Sequence, residues 1–405
     1  MTDALPRERL NVAILASSQA LFLIAAITVM TLSGVVGQQL TPSPALATLP
    51  VAMMQVGSVL FTLPASLLMK RIGRRPGFLI GTTVGGITGG AVAATGVVLG
   101  SFWIFCAGNL LLGIYQGFAM YYRFAAADCA GEAFRSKAIS LVLVGGVAAA
   151  FLGPWNANYG QLLWSAAPEA GPYLIVVGAS ILATILVGML RVPPVREPLG
   201  GDGQRPMAVI ARQPAFVVAV LAAAVGYAVM VLVMTATPLA VRQAGFGMDQ
   251  AAFVMQWHVL GMFLPSFFTG HLIARFGVLN ILTAGVLILV VSAAVAVSGV
   301  ALWQFWIALV LLGVGWNFLF VGGSTLLTQV HTQAERGKTQ GVNDLTIFSL
   351  VALGSLAAGA LLHHIGWAGL NLAMLPPLMV TLAAITWLRA GAGARRAAER
   401  GAGSS

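Results

Sequence analysis

Runs of twenty or more apolar residues follow one another along almost the whole chain, and they constrain its fold more than any other feature. Of the 405 residues, 59% are hydrophobic and only 8% are charged, with a mean hydropathy of +0.93. A water-soluble domain cannot bury so much apolar surface, so most of the chain must lie in lipid. Because a backbone in lipid has to satisfy its own hydrogen bonds, the runs predict an all-α integral membrane protein.

The number of apolar runs predicts the number of crossings, since about 20 residues span a bilayer as a helix. Twelve such runs can be delimited, which predicts twelve transmembrane helices. They cover residues 11–38, 46–69, 76–99, 102–125, 138–163, 172–192, 214–241, 250–274, 278–299, 302–330, 340–362 and 368–388.

The basic residues predict the orientation of these helices. The net charge is +10, but 20 of the 21 Lys and Arg residues lie at the termini or in the even-numbered turns, and Arg242 alone lies on the other side. This distribution follows the positive-inside rule and therefore argues against nucleic-acid binding. We expect a multi-pass protein of the inner (cytoplasmic) membrane with both termini in the cytoplasm.

The chain contains an internal repeat. Residues 66–73 match 270–277 at an offset of 204, residues 111–118 match 311–318 at 200, and residues 135–137 match 336–338 at 201. Such a repeat predicts two pseudo-symmetric six-helix bundles with a substrate site between them. We expect an N-terminal bundle (1–192), a cytoplasmic linker (193–213), a C-terminal bundle (214–390) and a basic cytoplasmic tail (391–405).

The stretch LLMKRIGRR, residues 67–75, resembles the cytoplasmic loop motif of the major facilitator superfamily, Gly-x-x-x-Asp-Arg-x-Gly-Arg-Arg. Ser66 replaces the first Gly and Lys70 the Asp, while four positions match. The resemblance implies the major facilitator fold, a transporter rather than an enzyme, no cofactor, and gating roles for these loops and their repeat. The gating residues implied are Arg71, Gly73, Arg74, Arg75, Arg275 and Gly277.

Sulfur and imidazole side chains recur at one-turn spacing in two neighbouring apolar runs. Met230 and Met234 lie in the seventh predicted helix, and His258 and Met262 lie in the eighth. At 1.5 Å per residue the two pairs lie level with each other, about 10–18 Å inside the outer helix ends. Thioethers favour soft copper(I), and imidazole also binds copper, so the pattern predicts a metal site. Methionine is also a common core filler, and packing is the alternative interpretation.

The same four residues resemble the ligand motif of the CcoA-type copper importers within this superfamily. That resemblance implies import of copper, as copper(I), for assembly of a haem–copper cytochrome oxidase. Copper is then the transported substrate and not a resident cofactor. An extracytoplasmic copper donor would be an additional partner. The repeat and the local spacing add three possible auxiliary ligands: Met30, Met54 and Met255.

Two other functions remain open from the sequence. Relatives of those importers are implied to move aromatic solutes such as riboflavin, and polar and aromatic residues of helices 5 and 10 could line a site for one. The residues considered are Trp155, Asn156, Asn158, Tyr159, Trp316 and Asn317. The chain could alternatively be a membrane metal sensor or assembly factor that transports nothing. His271, His363 and His364 are further candidates for a part in metal handling.

Overall fold

The computed structural model describes residues 7–192, 205–332 and 335–402. Long helices account for nearly all of this part of the chain. In order they are α1 (Glu8–Leu40), α2 (Leu49–Ile72), α3 (Arg74–Val98), α4 (Phe102–Asp128), α5 (Glu132–Tyr159), α6 (Gly171–Gly188), α7 (Pro214–Gln243), α8 (Met248–Phe263 with Ser266–Phe276), α9 (Val278–Val297), α10 (Leu302–Leu327), α11 (Arg336–Leu372) and α12 (Leu375–Ala402). Short helical segments join some of them: Pro44–Leu46, Gly160–Leu163, Pro168–Ala170 and Met207–Ala211.

The helices confirm the predicted all-α fold with twelve crossings. Within the described ranges, nine helical segments have the length and hydropathy of a membrane span, and the two parts of α8 make a tenth. The segment Arg336–Gly391 makes two crossings, because Gly366, with φ 69°, ends the first of them inside the range given for α11. The remaining crossing is α5. The two parts of α8 are bent by 41° beside Pro265, which lacks the N–H that a continuous helix needs.

The helices form two bundles with the same internal pairing. In the first bundle α1 packs on α5 and α2 packs on α4, and in the second α7 packs on α11 and α8 packs on α10. Helices α1–α6 lie between Glu8 and Gly188, and α7–α12 run from Pro214 to Ala402. The bundles meet where α5 packs on α8 and α2 packs on α11, while α1 and α7 face each other between them. This arrangement leaves a space along the pseudo-two-fold axis.

Glycines at matching positions bring two helix pairs into close contact. A Cβ on Gly113 of α4 would lie closer than 3.0 Å to the backbone of α2 at Met54 and Gly57. A Cβ on Gly313 of α10 would lie equally close to the backbone of α8 at His258. The repeat therefore preserves a backbone contact that only glycine permits, and this contact sets which parts of α2 and α8 pack on α4 and α10.

The two predicted gating loops also share their backbone geometry. Gly73 has φ 93° and ψ 162°, and Gly277 has φ 85° and ψ 149°, a region that L-residues with side chains rarely adopt. Arg74 forms an ion pair of 2.5 Å with Asp128 at the end of α4, and the Arg275 guanidinium lies 5.3 Å from the ring centre of Phe276. Both loops thus turn at a glycine of positive φ, and the ion pair of Arg74 joins the first of them to α4.

Hydrogen bonds locate one face of the molecule at which α1 begins and the described residues after α6 lie, here called the terminal face. Asn11 of α1 donates to the Arg191 carbonyl at 2.8 Å, and Arg389 of α12 donates to Asn280 at 2.7 Å. Residues 193–204 of the predicted linker lie outside the described residues, and Met207–Ala211 forms a short helix within the rest. The predicted tail is helical from residue 391 to Ala402, in keeping with the helix propensity of its Ala, Arg and Glu residues.

The end of the linker is fastened to the C-terminal bundle on this face. The guanidinium of Arg205 donates to both carboxylate oxygens of Glu335 at 2.8 and 2.7 Å, and its backbone N–H donates to the same group at 2.9 Å. The Thr332 N–H donates to Glu335 at 3.0 Å. These bonds, led by the Arg205 side chain, hold the pKa of Glu335 well below its ordinary value.

The opposite face, called the far face, is closed by contacts between the bundles. The Gly359 N–H of α11 donates to the Thr48 hydroxyl at 2.8 Å, joining the second bundle to the first. A Cβ on Gly34 of α1 would lie 3.5 Å from the Leu239 side chain of α7. Both contacts lie beyond the central space, which consequently opens toward the terminal face.

Candidate functional site: a central cavity

A cavity of about 1120 Å³, counting its open end, lies between the bundles. Residues of α1, α2 and α4–α5 line it on one side, and residues of α7, α8 and α10 line it on the other. Its far end is bounded by Met30 and Met234, and Arg123 lines it about one turn before the end of α4. A lining drawn from seven helices is more extensive than a single ion needs and suits a small organic ligand.

One wall of the cavity is an aromatic cluster on the C-terminal bundle. Trp316 and Phe320, one turn apart on α10, stack at 5.2 Å with ring planes only 9° apart. Tyr227 of α7 meets both rings edge-on, at 5.3 and 5.5 Å, and Phe263 of α8 lies 6.3 Å from Trp316. The buried Trp316 Nε1 has no hydrogen-bond partner. The cluster therefore offers a flat apolar surface with one free donor.

The facing wall carries amides and one guanidinium from the N-terminal bundle. Gln19, Gln55 and Gln116 line the cavity together with Arg123. Gln116 donates to Gln55 at 3.4 Å, so these two amides lie side by side. No aspartate or glutamate is among the described residues that line the cavity, and Arg123 is the one charged side chain among them.

Four of the predicted sulfur ligands line the cavity. Met230, Met234 and Met262 contribute to it from the second bundle, and Met30 contributes from the first. Each is buried, with at most 8% of its surface exposed. Met30 and Met234 occupy equivalent positions of the repeat, as the offset of 204 predicts, and both lie at the far end of the cavity. The four methionines give the cavity an apolar and deformable lining.

His258 is not among the cavity residues. Its ring is fully buried, and its Nδ1 lies 2.7 Å from the Leu309 carbonyl of α10. It occupies the α8 position that corresponds to Met54 of α2, and both lie at the glycine contact with the neighbouring helix. Met54 and Met255 are likewise buried in the helix packing, 2% and 0% exposed. The structure thus separates the imidazole from three of the thioethers with which the sequence pattern grouped it.

The other polar candidates are mostly structural. Asn156 donates to Thr28 and to the Pro172 carbonyl, both at 3.1 Å, and thereby joins α5 to α1 and α6. Asn317 donates to the Met262 carbonyl at 2.8 Å and accepts from Thr269 at 2.7 Å. Of the set, Trp316 alone lines the cavity. Five of the candidates have exposed side chains: Trp155, Tyr159, His271, His363 and His364. Asn158 is half-buried.

The hydrogen-bonding residues of the cavity were not predicted from the sequence. Gln19, Gln55 and Gln116 are single amides in apolar runs, where interhelical hydrogen bonding is the default role. Arg123 did carry a usable signal, because an arginine inside a predicted span marks a functional position more often than a structural one. The repeat carried another signal: Gln116 and Trp316 are equivalent at the offset of 200.

Comparison with known families places this cavity in context. Residues 14–265 and 220–404 each match the model of the Major Facilitator Superfamily, so the matches extend over both bundles. The chain belongs to the major facilitator superfamily. It is therefore a multi-pass membrane transporter by family, as the loop motif and the repeat predicted.

Individual relatives agree with this assignment. The chain is 43% identical over 384 residues to the riboflavin transporter RfnT of Brucella anthropi. This alignment covers 94% of the present chain and 96% of the relative. It is 30% identical over 348 residues to YdeG, an uncharacterised MFS-type transporter of Bacillus subtilis, covering 82% and 80%.

Solved structures show the same fold at low sequence identity. A bacterial homologue of the human lysosomal transporter Spinster, in an inward-facing and occupied conformation, superposes with a TM-score of 0.68 at 17% identity over 93% of this chain and 94% of that one. The human organic anion transporter MFSD10 gives 0.68 at 16% identity, covering 94% and 100%.

The prediction of copper import is wrong. The relative that is 43% identical over 94% of this chain is a riboflavin transporter, which contradicts copper as the substrate and removes the basis for oxidase assembly and a copper donor. The physical reason lies in the pattern itself. Methionines at one-turn spacing fit an apolar cavity wall as well as a ligand set. The sequence also could not reveal that His258 turns toward α10.

Proposed function

We propose that this protein carries riboflavin across the membrane. The observation that carries the proposal is the cavity with a flat aromatic wall and a facing amide wall. Riboflavin has matching chemistry: a flat three-ring isoalloxazine with an apolar dimethylbenzene edge, a polar edge of carbonyl and imide groups, and a hydroxylated ribityl chain. The relative with 43% identity over nearly the whole chain supports the same substrate.

The ring system would lie against Trp316, with Phe320 and Tyr227 behind and beside it. A flat ring on an aromatic face gains about 1–3 kcal/mol from stacking, the range measured for nucleobases on aromatic side chains. The methionines Met30, Met230, Met234 and Met262 would contact the dimethylbenzene edge, since thioethers adapt to irregular apolar shapes and interact favourably with ring edges. In this role they are substrate contacts and need no metal.

The cavity chemistry argues against a cationic solute. Lining carboxylates would be expected for a cationic substrate, because a buried cation needs a counter-charge. Amides instead supply donors and acceptors without a net charge. The donors and acceptors of a flavin edge and of a ribityl chain can thus be satisfied within the membrane at modest desolvation cost.

Transport would proceed by alternating access, with the bundles rocking about the bound flavin. In the present state the far face is closed and the cavity opens to the terminal face. We place the terminal face in the cytoplasm and the protein in the inner membrane on the positive-inside distribution. The loops with Gly73 and Gly277, and their arginines Arg71, Arg74, Arg75 and Arg275, would act as turns at the gate on that face.

The test is uptake of radiolabelled riboflavin by a bacterial riboflavin auxotroph that expresses the chain. We expect saturable uptake, and we expect Trp316→Ala to raise the riboflavin concentration for half-maximal uptake about 5- to 150-fold, which corresponds to the stacking energy. Trp303→Ala is the matched control, because Trp303 lies on the same helix but is 56% exposed outside the cavity. Uptake no greater than in cells lacking the chain, at equal membrane abundance, would sink the proposal.

A further inference from the structure

The amide and guanidinium groups of the cavity come from the N-terminal bundle, whereas four of its five aromatic rings come from the C-terminal bundle, the fifth being Phe22 of α1. The side chains with amide or guanidinium groups, Gln19, Gln55, Gln116 and Arg123, belong to α1, α2 and α4. The clustered rings, Tyr227, Phe263, Trp316 and Phe320, belong to α7, α8 and α10. A substrate that satisfies both walls must therefore present its ring face to one bundle and a polar edge to the other.

Arg123 is poorly satisfied by the protein itself. Its Nε is buried without a hydrogen-bond partner, and its guanidinium lies 4.8 Å from the ring centre of Phe124. Asp344 of α11 and Tyr227 lie near enough to interact with its charge, but neither pairs with it in the described part of the chain. Arg123 as a whole is half-buried, but a buried Nε–H without a partner is unfavourable, so a ligand acceptor is expected at this position.

The amides beside Arg123 indicate which chemical group of a ligand would supply this acceptor. The amide of a glutamine presents one acceptor and two donors, and the paired Gln55 and Gln116 present both kinds side by side. The pyrimidine edge of a flavin alternates carbonyl, imide N–H and carbonyl, and it continues to the electron-rich N1. An amide pair complements the imide, while a guanidinium complements the remaining carbonyl and N1, which only accept hydrogen bonds.

We propose that Arg123 is a specificity-determining residue that binds the C2 carbonyl and N1 edge of the isoalloxazine, with Gln55 and Gln116 on the imide. This inference rests on the proposed riboflavin transport and adds the orientation of the substrate to it. The flavin bridges the bundles, with its face on Trp316 and its pyrimidine edge toward α2 and α4. Recognition of the ring edge, rather than of the ribityl chain, then separates flavins from other flat aromatic solutes.

The experiment measures binding to the purified full-length protein in detergent by quenching of flavin fluorescence. Riboflavin and lumiflavin, which has the same ring but a methyl group in place of the ribityl chain, are titrated separately. We expect Arg123→Gln to weaken the binding of both flavins by the same factor, roughly tenfold to a hundredfold for a charge-assisted hydrogen bond. Arg212→Gln removes the same charge from an exposed position outside the cavity and should leave both dissociation constants unchanged.

Three results would overturn the inference. Weaker riboflavin binding with unchanged lumiflavin binding would assign Arg123 to the ribityl chain. Recovery of wild-type binding in the Arg123→Gln/Asp344→Asn double variant would make Arg123 a partner of Asp344 instead. Unchanged binding of both flavins by a folded Arg123→Gln protein would remove it from the site. None of these three results would contradict the proposed riboflavin transport. That proposal is contradicted by a different result, the absence of riboflavin binding by the wild-type protein.

Discussion

The N-terminal and C-terminal bundles are alike in backbone and unlike in what they present to the cavity. Adding 204 to a position in α1 or α2, or 200 to one in α4, gives its equivalent in the second bundle. Several equivalent pairs line the cavity from both sides: Leu23 and Tyr227, Met30 and Met234, Gln55 and Val259, Gln116 and Trp316, and Met120 and Phe320. The repeat thus fixes where the cavity lies, and substitution at its lining positions has given each wall its own chemistry.

The contrast separates two kinds of constraint. Glycines at the helix contacts, Gly113 and Gly313, and in the loops, Gly73 and Gly277, serve the same purpose in both halves, because backbone approach and positive φ leave no alternative. Lining positions are freer, since a side chain that faces a cavity is not held by close packing. A repeat therefore preserves framework positions more faithfully than it preserves a binding site.

The largest expected effect comes from breaking the shared framework. Gly113→Ala and Gly313→Ala each place a Cβ closer than 3.0 Å to the backbone of the neighbouring helix, a distance that real Cβ atoms do not show. We expect each to destabilise its bundle by about 1–3 kcal/mol or more and to lower membrane abundance. The measurement is abundance and melting temperature after extraction in detergent. Gly178→Ala of α6, with no atom within 4 Å of the added Cβ, should be neutral. A normal level of either contact variant would argue against the symmetric contact.

The next effect comes from making the two walls alike. Trp316→Gln gives the second bundle the residue of the first at that position, and Tyr227→Leu does the same on α7. We expect the first to weaken riboflavin binding about 5- to 150-fold through lost stacking, and the second about 2- to 12-fold through lost edge contacts.

Fluorescence titration of the purified variants measures both effects of this second prediction. Tyr159→Leu serves as the control, because Tyr159 is 51% exposed at the end of α5 and does not line the cavity. If Tyr227→Leu costs more affinity than Trp316→Gln, the stacked pair is not the principal surface for the ring.

A third prediction concerns an asymmetry outside the cavity. Glu335 anchors the linker through Arg205, whereas its equivalent at an offset of 201 is Phe134, which cannot form such a bond. Because the folded-state pKa of Glu335 is lowered, its contribution to stability is complete above its unfolded pKa and is lost as the pH falls below about 4. We expect Glu335→Gln to lower the melting temperature at pH 7 and to differ less from wild type at pH 3.

The control for this pH dependence is Glu169→Gln, which removes an acidic residue that forms no ion pair with another described residue. A constant difference between wild type and Glu335→Gln from pH 7 to pH 3 would contradict the role of the carboxylate charge.

The sequence predicted the fold more completely than the site, for physical reasons. Crossing number, repeat and loop turns follow from apolar run length and from glycine geometry, which are local properties. Which face of a helix meets the cavity depends on how neighbouring helices rotate. His258 and Met262 are one turn apart, yet the Gly313 contact draws His258 onto α10 while Met262 reaches the cavity. The wrong substrate prediction began here. The one-turn spacing in the sequence grouped an imidazole and three thioethers into one ligand set, and the rotation of α8 separates them.

The smallest expected effect tests that rotation directly, through His258→Met, which gives α8 the residue that α2 carries at Met54. The substitution removes the bond between Nδ1 and the Leu309 carbonyl, so we expect a loss of about 0.5–1.5 kcal/mol in stability. Riboflavin affinity should stay unchanged, because the ring does not line the cavity and methionine fills a similar volume. Thermal melts and fluorescence titration separate the two effects, and Met262→Ala, at a lining position, should reduce affinity instead. If His258→Met weakens binding more than Met262→Ala does, the imidazole reaches the substrate in another conformation of the carrier, and the pairing of His258 with Met54 as packing residues is wrong.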